Sequence, residues 1–575
     1  MSETYKPDTD ALPKDPYDTA YLSQRDVGLN IPINYVTTPG ISLTAACFPL
    51  LKYEDDDATL CISNLLANGF RRLEVDLYWD EMRQLWSFCP VALPVETSSM
   101  VSSPIPTSTR PSSTARLTSA SQTTDLVARQ DTATSTIISS SIKSDASING
   151  PAPQPTNFPT FLENLGSIFS ANLSAYIYTP NDLRSNRVNL NASWYSVTER
   201  YRPALDYYST TTREFGVVST EDGWPSEAYV EFSQGKRMLL QFGNVDPQMK
   251  GYNFTGDSDT IFSPGYLSNS RGNDILTTPD GNLTSGCFFA NATEQVSQVN
   301  SSWATAANIP GFDYPTHSNS DLTSLLNLTS SLTNCGISPT LNMTLLNTTA
   351  NTDNSPYKNY AYSTIWSWAP NEPRNSSSSS SSSSTNDPLF RCATLRTPSN
   401  HWHVTDCSSK LHAACRLPTQ PYNWTLTPYA ISYSYASQAC PAPYTFSSPR
   451  TALENTHLLQ TIHLLSSSPN SDFDSDSDSD SKTNAKIWID FNSLDTRNCW
   501  TAGGPNASCP YGDQRLLDDI REREVIVPVV AALIVMILTG LVLAGKCAGR
   551  ARSRRGRGRR RGKKRGGVVY EGVPA

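Results

Sequence analysis

The sequence predicts an α/β fold class. A barrel fills the N-terminal half, an α+β cysteine-bearing region follows, and one membrane-spanning helix lies near the C-terminus. Three observations carry this. Strand-like and helix-like patterns alternate between residues 69 and 242, the order of a βα barrel. Residues 525–545, VIVPVVAALIVMILTGLVLAG, contain no charge; at about 1.5 Å per residue they reach ~31 Å, the depth of a bilayer's hydrocarbon. Eleven of the twelve cysteines, and every Asn-X-Ser/Thr sequon, precede that run. The expected organisation is a polar N-terminal segment at 1–22, a barrel at 23–312, a cysteine-containing region at 313–515, the span at 525–545 and a basic tail at 546–575.

Residues 1–26 are polar and acidic and lack the apolar core of a signal peptide. LKYEDDDATLCIS, at 51–63, separates FPLL from SNLLANGF and reads as an insertion that contributes an odd thiol, Cys61. GFRRLEVDLYWD, at 69–80, alternates as one strand, with Leu73, Val75 and Leu77 on one face and Arg72, Glu74 and Asp76 on the other. Residues 96–154 are rich in Ser, Thr and Pro and poor in aromatics, so they cannot bury a core and form a disordered insert in the barrel. A helix is expected at 161–170 and a strand at 175–179. A helix end at 227–233 then runs into a buried strand at 236–242, KRMLLQF. The Ser run after Asn375 and the stretch SDFDSDSDSDS are low-complexity inserts of the second region. Regular Asp-Ser alternation lacks the Gly turn and closing Glu of a calcium loop and reads as a solvated acidic loop.

The 69–80 strand carries the chemistry. Carboxylates at i and i+2 share a face, as a metal site or an acid/base pair requires. QRDVGLNIPINYVTTPGISLTAACFPLL followed by GFRRLEVDLYWD resembles the first strands of phospholipase C-like phosphodiesterase barrels. That resemblance implies a TIM-barrel-like fold with Glu74 and Asp76 as the metal-side carboxylates. It also implies a histidine in the turn after the first strand and another after the next. The turn here is Pro39-Gly40-Ile41-Ser42, and the second position falls near Ser87, Phe88 and Cys89. The six histidines are His317, His401, His403, His412, His457 and His463, none near this strand pair. Without them phosphodiester cleavage loses its proton-transfer groups. The expectation is a degenerate barrel, not an enzyme, with a vestigial Glu74/Asp76 pair, no catalytic residue and no cofactor. Glu74 and Asp76 are then expected to pair with Arg71, Arg72 or Arg25; a residual metal-dependent phosphodiesterase is the alternative.

In the second region, WSWAPNEPRN with RCATLRTPSNHWHVTDCSSKLHAACR resembles the C-terminal half of a C-type-lectin-like domain. YSYASQACP, LENTHLL and IWIDFNSLDTRNCW look like its N-terminal half in reversed order. Sugar-binding members hold calcium through Glu-Pro-Asn and Trp-Asn-Asp elements. Here these read Glu372-Pro373-Arg374 and Trp402-His403-Val404, so most of the ligand set is missing. Cys392/Cys415, Cys407/Cys440 and Cys499/Cys509 are plausible disulfides, with connectivity open.

The tail after the span carries twelve basic residues against Glu571, a positive-inside signal that places it in the cytosol. Contact with anionic membrane lipid suits such a tail better than nucleic-acid binding. Cys547 is a candidate for palmitoylation. With the net charge at −8, the remainder is strongly acidic. The sequons are Asn172, Asn191, Asn253, Asn282, Asn291, Asn300, Asn327, Asn342, Asn347, Asn375, Asn423 and Asn506, and their one-sided placement suits a secretory route. Taken together, TTPGISLTAACFPLL, NLLANGFRRLEVDLYWD, WSFCPVALP, the lectin-like cysteines and the C-terminal span resemble the fungal maintenance of telomere capping protein 6 family. The resemblance implies a type I single-pass membrane glycoprotein linked indirectly to telomere capping, without direct contact to nucleic acid. The expected partners are membrane lipid and, on the lumenal side, a glycan or protein ligand. A carbohydrate-binding lectin-like protein is the other reading.

Overall fold

The computed structural model describes residues 5–49, 55–81, 84–87, 155–160, 162–245, 249–267, 276–277, 283–285, 303–306, 316–374, 389–397, 399–466 and 485–510. The expected insert at 96–154, the span at 525–545 and the tail at 546–575 lie outside them. Among the described residues no helix is long and apolar enough to cross a membrane. The chain divides into two units, and the first, Met1–Ala507, holds every helix and strand named below.

Four short strands form a parallel sheet: β1 (Gly40–Ser42), β2 (Arg72–Glu74), β9 (Thr305–Ala306) and β10 (Ser338–Leu341). Their order is β2-β1-β10-β9. The first strand therefore lies between the second and the last, as a closing barrel demands. Gly40 faces Arg72 on one side and Thr340 on the other. A Cβ there would meet the Thr340 hydroxyl at 2.6 Å, so this approach requires glycine. Between β2 and β9 the winding continues as parallel bridges, Ile177 to Met238 and Gln241 to Phe262. Ile177, Met238 and Gln241 fall in the stretches expected at 175–179 and 236–242, whereas Phe262 lies in neither. The barrel boundary expected at Phe312 does not hold, because Ser338–Leu341 is the strand that closes back onto β1.

The apolar face of the sheet packs under helices α2 (Leu43–Cys47), α3 (Asp55–Asn68), α6 (Asn319–Asn334) and α7 (Ser355–Tyr362). Their shared core holds Ile41, Val75, Leu325, Leu328, Leu332 and Leu341, with Leu73 and Leu77 at its edge. The alternation expected at 69–80 is therefore correct in its faces but not in its length. Pairing with β1 stops at Ser42–Glu74, because Ser42 turns to cap α2, accepting from the Ala45 amide. Tyr78–Asp80 then leaves as β3 and pairs with β4 (Leu85–Ser87), setting Trp79 against Trp86.

The insertion expected at 51–63 is corrected. Residues 55–68 form one continuous helix, with Ala58, Cys61 and Leu65 buried. Asp56 and Asp57 lie in its first turn, where the helix dipole favours carboxylates. Cys61 is not an odd thiol: it is bonded to Cys47 on α2. Closing so short a loop should contribute about 3 kcal/mol, so Cys47→Ala/Cys61→Ala is expected to lower the unfolding free energy by that amount. An unchanged denaturant midpoint would show that the bridge contributes nothing.

The polar N-terminal segment expected at 1–22 ends inside a helix. Helix α1 (Tyr17–Gly28) ties the barrel to the second sheet. Tyr17 stacks on Tyr362 at 4.0 Å, and the Ser23 hydroxyl accepts the Trp368 indole N–H at 2.7 Å. Gln24 Oε1 accepts the Trp366 amide at 3.0 Å.

The second region is α+β. Strands β11 (Phe390–Arg396), β12 (His401–Asp406), β13 (His412–Arg416), β14 (Trp424–Leu426), β15 (Thr445–Phe446) and β16 (Lys486–Asn492) make one six-stranded sheet. Its order is β12-β11-β16-β13-β14, with β15 also on β13, and β13 runs parallel to β16. Both faces are covered. Ile487, Ile489 and Phe491 meet Trp368, Trp402 and the helix Ala452–Ser466, whereas Trp488 meets Cys392, Tyr433 and Phe446. The disulfides are Cys392–Cys407 and Cys415–Cys440, which replaces the pairing of 392 with 415 and 407 with 440. The β11–β12 hairpin sets Cys392 opposite Thr405, which delivers Cys407, and β13 pairs Cys415 with Phe446 near Cys440. Cys335, Cys499 and Cys509 are also disulfide-bonded.

Candidate functional site at the carboxyl ends of the barrel strands

Catalytic groups in βα barrels gather where the strands end, and Glu74 and Asp76 stand there, at and just past the end of β2. Asp76 Oδ2 accepts the Thr44 hydroxyl of α2 at 2.5 Å. Glu74 Oε2 is buried without a hydrogen-bond partner among the described residues. Burial raises the Glu74 carboxyl to about 7; Arg72 pulls it down and Asp76 pushes it up. Arg72 itself lies 5.9 Å from the Trp303 ring centroid, a cation–π contact. Arg25 bonds Asp26 instead, and its field, with that of Arg71, falls on Glu227. Of the arginines expected to balance the pair, Arg72 is therefore the one whose charge bears on Glu74.

The histidines sit on other elements. His401 and His403 are on β12, His412 is on β13, and His457 and His463 are on the helix Ala452–Ser466. His317 lies against Asn347, with 3.0 Å between their nitrogens. The turn expected at Pro39–Ser42 is corrected: Gly40–Ser42 is β1 itself and Ser42 caps α2, so no histidine stands where the resemblance to phosphodiesterase barrels would place one. Among the described residues no three His, Cys, Asp or Glu side chains gather as a metal site.

The two lectin-like elements do meet, but as framework. Glu372 is 3% exposed, pairs with Arg374 at 2.9 Å and lies 3.7 Å from His403 Nδ1. Its carboxylate is thus committed to the Arg374 guanidinium of the chain itself. Trp402 is fully buried and donates to Asn455 Oδ1 at 3.1 Å.

One cleft remained hidden to the sequence. A cavity of about 360 Å³ is lined by Arg184, Arg187, Arg213, Thr220, Ser258, Phe262, Ser263 and Tyr266, with Pro180 and Val188. Neither Glu74 nor Asp76 lines it. Helix α5 (Pro180–Val188) begins just past the Ile177 bridge, capped by Thr179, whose hydroxyl exchanges hydrogen bonds with Asp182. Arg184 and Arg187, three apart, share one face of it. Arg213 comes from the hairpin β5–β6 (Thr211–Thr212 and Val218–Ser219), which docks on α5 through the Thr220 amide and the Arg187 carbonyl at 3.1 Å. Arg187 is fixed: Nε donates to the Gly223 carbonyl at 2.7 Å, and its plane lies 5.1 Å from the Trp224 ring. Burial lowers its pKa, partly offset by Tyr266, Tyr178 and Asp222. The Arg184/Arg187 spacing was visible in the sequence; the approach of Arg213 was not.

Seven of the sequon asparagines are exposed: Asn172, Asn191, Asn253, Asn327, Asn342, Asn347 and Asn506. Asn423 is half-buried, and Asn282, Asn291, Asn300 and Asn375 lie outside the described residues.

A family model described as the MTC6 partial TIM-barrel domain matches residues 13–367, a span that includes α1 and runs past β10. The chain is 27% identical over 375 residues to the maintenance of telomere capping protein 6 of Yarrowia lipolytica, covering 62% of this chain and 49% of that protein. It is 27% identical to the protein of that name from Lachancea thermotolerans, covering 86% and 82%. Against the Candida tropicalis protein of that name it is 25% identical, covering 91% and 89%. No solved structure matches.

Proposed function

The chain belongs to the maintenance of telomere capping protein 6 family, and from that premise we propose a non-catalytic binding protein held in a membrane. One observation carries the non-catalytic reading. The barrel keeps Glu74 and Asp76 at the end of β2, yet residues 39–42 and the β4 region carry no histidine. A carboxyl with a pKa raised to about 7 by burial could move a proton, but neither carboxylate lines the cleft, so none is offered to a substrate there. The full-length chain, given phosphoinositides or glycerophosphodiesters with and without calcium, is expected to release no product. Turnover abolished by Glu74→Ala would replace this reading with a residual phosphodiesterase.

The membrane part of the proposal rests on the uncharged run at 525–545 and the basic tail behind it. Exposed sequon asparagines support a glycosylated, lumenal or extracellular folded part. In that topology the bilayer separates the fold from chromosomal DNA, and the telomere capping in the relatives' name is reached indirectly. Protease treatment of sealed membranes should trim only the tail, and a glycosidase should shift the protected fragment. Digestion of the whole chain would overturn this topology.

A lectin-like reading has one observation in its favour, the approach of Glu372 to His403 on β12 at 3.7 Å. The Arg374 pairing argues against a calcium-held sugar, so any glycan would bind without the metal.

A further inference from the structure

The cleft between α5 and the β5–β6 hairpin concentrates positive charge that the nearby Asp222 offsets only in part. Three guanidinium groups and no carboxylate line it. Among the described residues, Arg184, Arg187 and Arg213 have no carboxylate within ion-pair distance. The neighbouring acids are committed to neutral donors. Asp222 Oδ1 accepts the Ser209 amide at 3.1 Å and the hydroxyls of Ser209 and Thr220 at 2.9 and 3.0 Å. Asp182 Oδ2 accepts the Thr179 amide and hydroxyl, both at 2.9 Å. Leaving three like charges around one cleft is unfavourable unless an anion shares it. Planar guanidinium forks match the oxygens of a phosphate, and the excess of positive charge suits a dianion better than a single carboxylate.

We propose that this cleft binds the phosphate monoester of a small polyhydroxylated molecule, either free in solution or as a lipid headgroup. The arginines hold the phosphate. Ser258, Ser263 and Tyr266 are exposed residues of the lining and supply hydroxyls for the alcohol groups of the ligand; the Ser258 hydroxyl, which donates to the Thr255 carbonyl at 2.9 Å, serves as an acceptor. A volume of about 360 Å³ admits one phosphorylated sugar or cyclitol and excludes a polymer. Arg187, locked by Gly223 and Trp224, is pre-organised; Arg184 and Arg213 are exposed and complete the grip. The proposal rests on the reading of the chain as a binding protein and gives that reading a ligand class.

Calorimetric titration of the full-length chain in a neutral detergent tests it, with inorganic phosphate, glucose 6-phosphate, glucose and a short-chain phosphatidylinositol 4-phosphate as probes. Phosphate and glucose 6-phosphate should bind, with glucose 6-phosphate the tighter, and glucose should not. Arg184→Gln/Arg213→Gln removes two exposed groups whose only side-chain hydrogen bond among the described residues is from Arg184 to Asn181. It should weaken glucose 6-phosphate at least about tenfold, and added salt should weaken the unsubstituted chain in the same direction. Tighter binding of the short-chain lipid than of glucose 6-phosphate would support a headgroup as source, and the reverse a soluble ester. Absence of binding by every phosphate probe, equal binding of glucose, or an unchanged double variant would overturn the site and leave the non-catalytic reading intact. Release of phosphate from the bound ester would overturn that reading and leave the site.

Discussion

Arg450→Met should lower the unfolding free energy by about 3–5 kcal/mol, the cost of leaving buried charges without their partner. Arg450 Nη2 donates to Asp206 Oδ2 at 2.5 Å and to Glu454 Oε1 at 2.7 Å, while its backbone amide donates to Glu454 Oε2 at 2.7 Å. Arg416 Nη1 reaches the same Asp206 oxygen at 2.7 Å, and the Tyr207 hydroxyl donates to Glu454 Oε1 at 2.7 Å. Two guanidiniums and two carboxylates balance, and every member is largely buried. Burial pushes Asp206 up, but Arg450 and Arg416 more than offset it and hold its carboxyl below the usual range. Methionine fills much of the volume but leaves two carboxylates against one arginine. Arg450→Lys keeps the charge but loses the forked geometry and should fall between. The network joins residues 206–207 of the barrel half to β13 and to the start of the helix Ala452–Ser466. Denaturant unfolding of Arg450→Met should therefore lose midpoint and also broaden as the two halves uncouple. A variant within 1 kcal/mol of the parent would show that packing, and not this network, holds the halves together.

Only the four-residue spacing of Arg450 and Glu454 is local in that network; Asp206, Tyr207 and Arg416 lie far from it along the chain, and no sequence pattern joins them. What local physics controls was legible: the two faces of residues 69–80 and the extended stretches around Ile177 and Met238. Long-range register was not. Thr340 returning to Gly40 closes the barrel, and only that pairing shows the fold extending past Phe312. The disulfides went wrong for the same reason: the exchange of partners among Cys392, Cys407, Cys415 and Cys440 depends on which strands become neighbours. The helix at Asp55–Asn68 was a different failure. Its three leading aspartates read as an interruption of an apolar run, whereas at a helix N-terminus Asp56 and Asp57 are stabilising. At the site, sequence reasoning found the two carboxylates and the missing histidines. It could not find the arginine cleft, which three separate segments assemble.

His457 gives the second large effect, this time with pH. It is 1% exposed on the helix Ala452–Ser466, with its ring stacked on Tyr422 at 4.5 Å. Burial lowers its pKa to about 4, against roughly 6.5 in an unfolded chain. Between those values the unfolded chain takes up a proton that the folded chain refuses. Its stability contribution is therefore complete above about pH 6.5, falls as pH drops, and levels off below pH 4. A shift of that size corresponds to about 3 kcal/mol. Glu74 acts with the opposite sign: its raised pKa means the folded chain holds a proton between pH 4.5 and 7, so its share of stability grows as pH falls through that window. The net slope of the parent protein therefore mixes both groups, and only a difference isolates one. His457→Phe keeps an aromatic ring on Tyr422 and cannot be protonated. Denaturant unfolding at pH 7 and pH 4 should show the parent losing about 3 kcal/mol more than His457→Phe over that interval. Parallel losses in the two proteins would mean that His457 is not held neutral by burial. If the folded part does face the lumen, this ring would lower stability in acidic compartments, against the gain from Glu74. Substituting it should extend survival there without touching the arginine cleft.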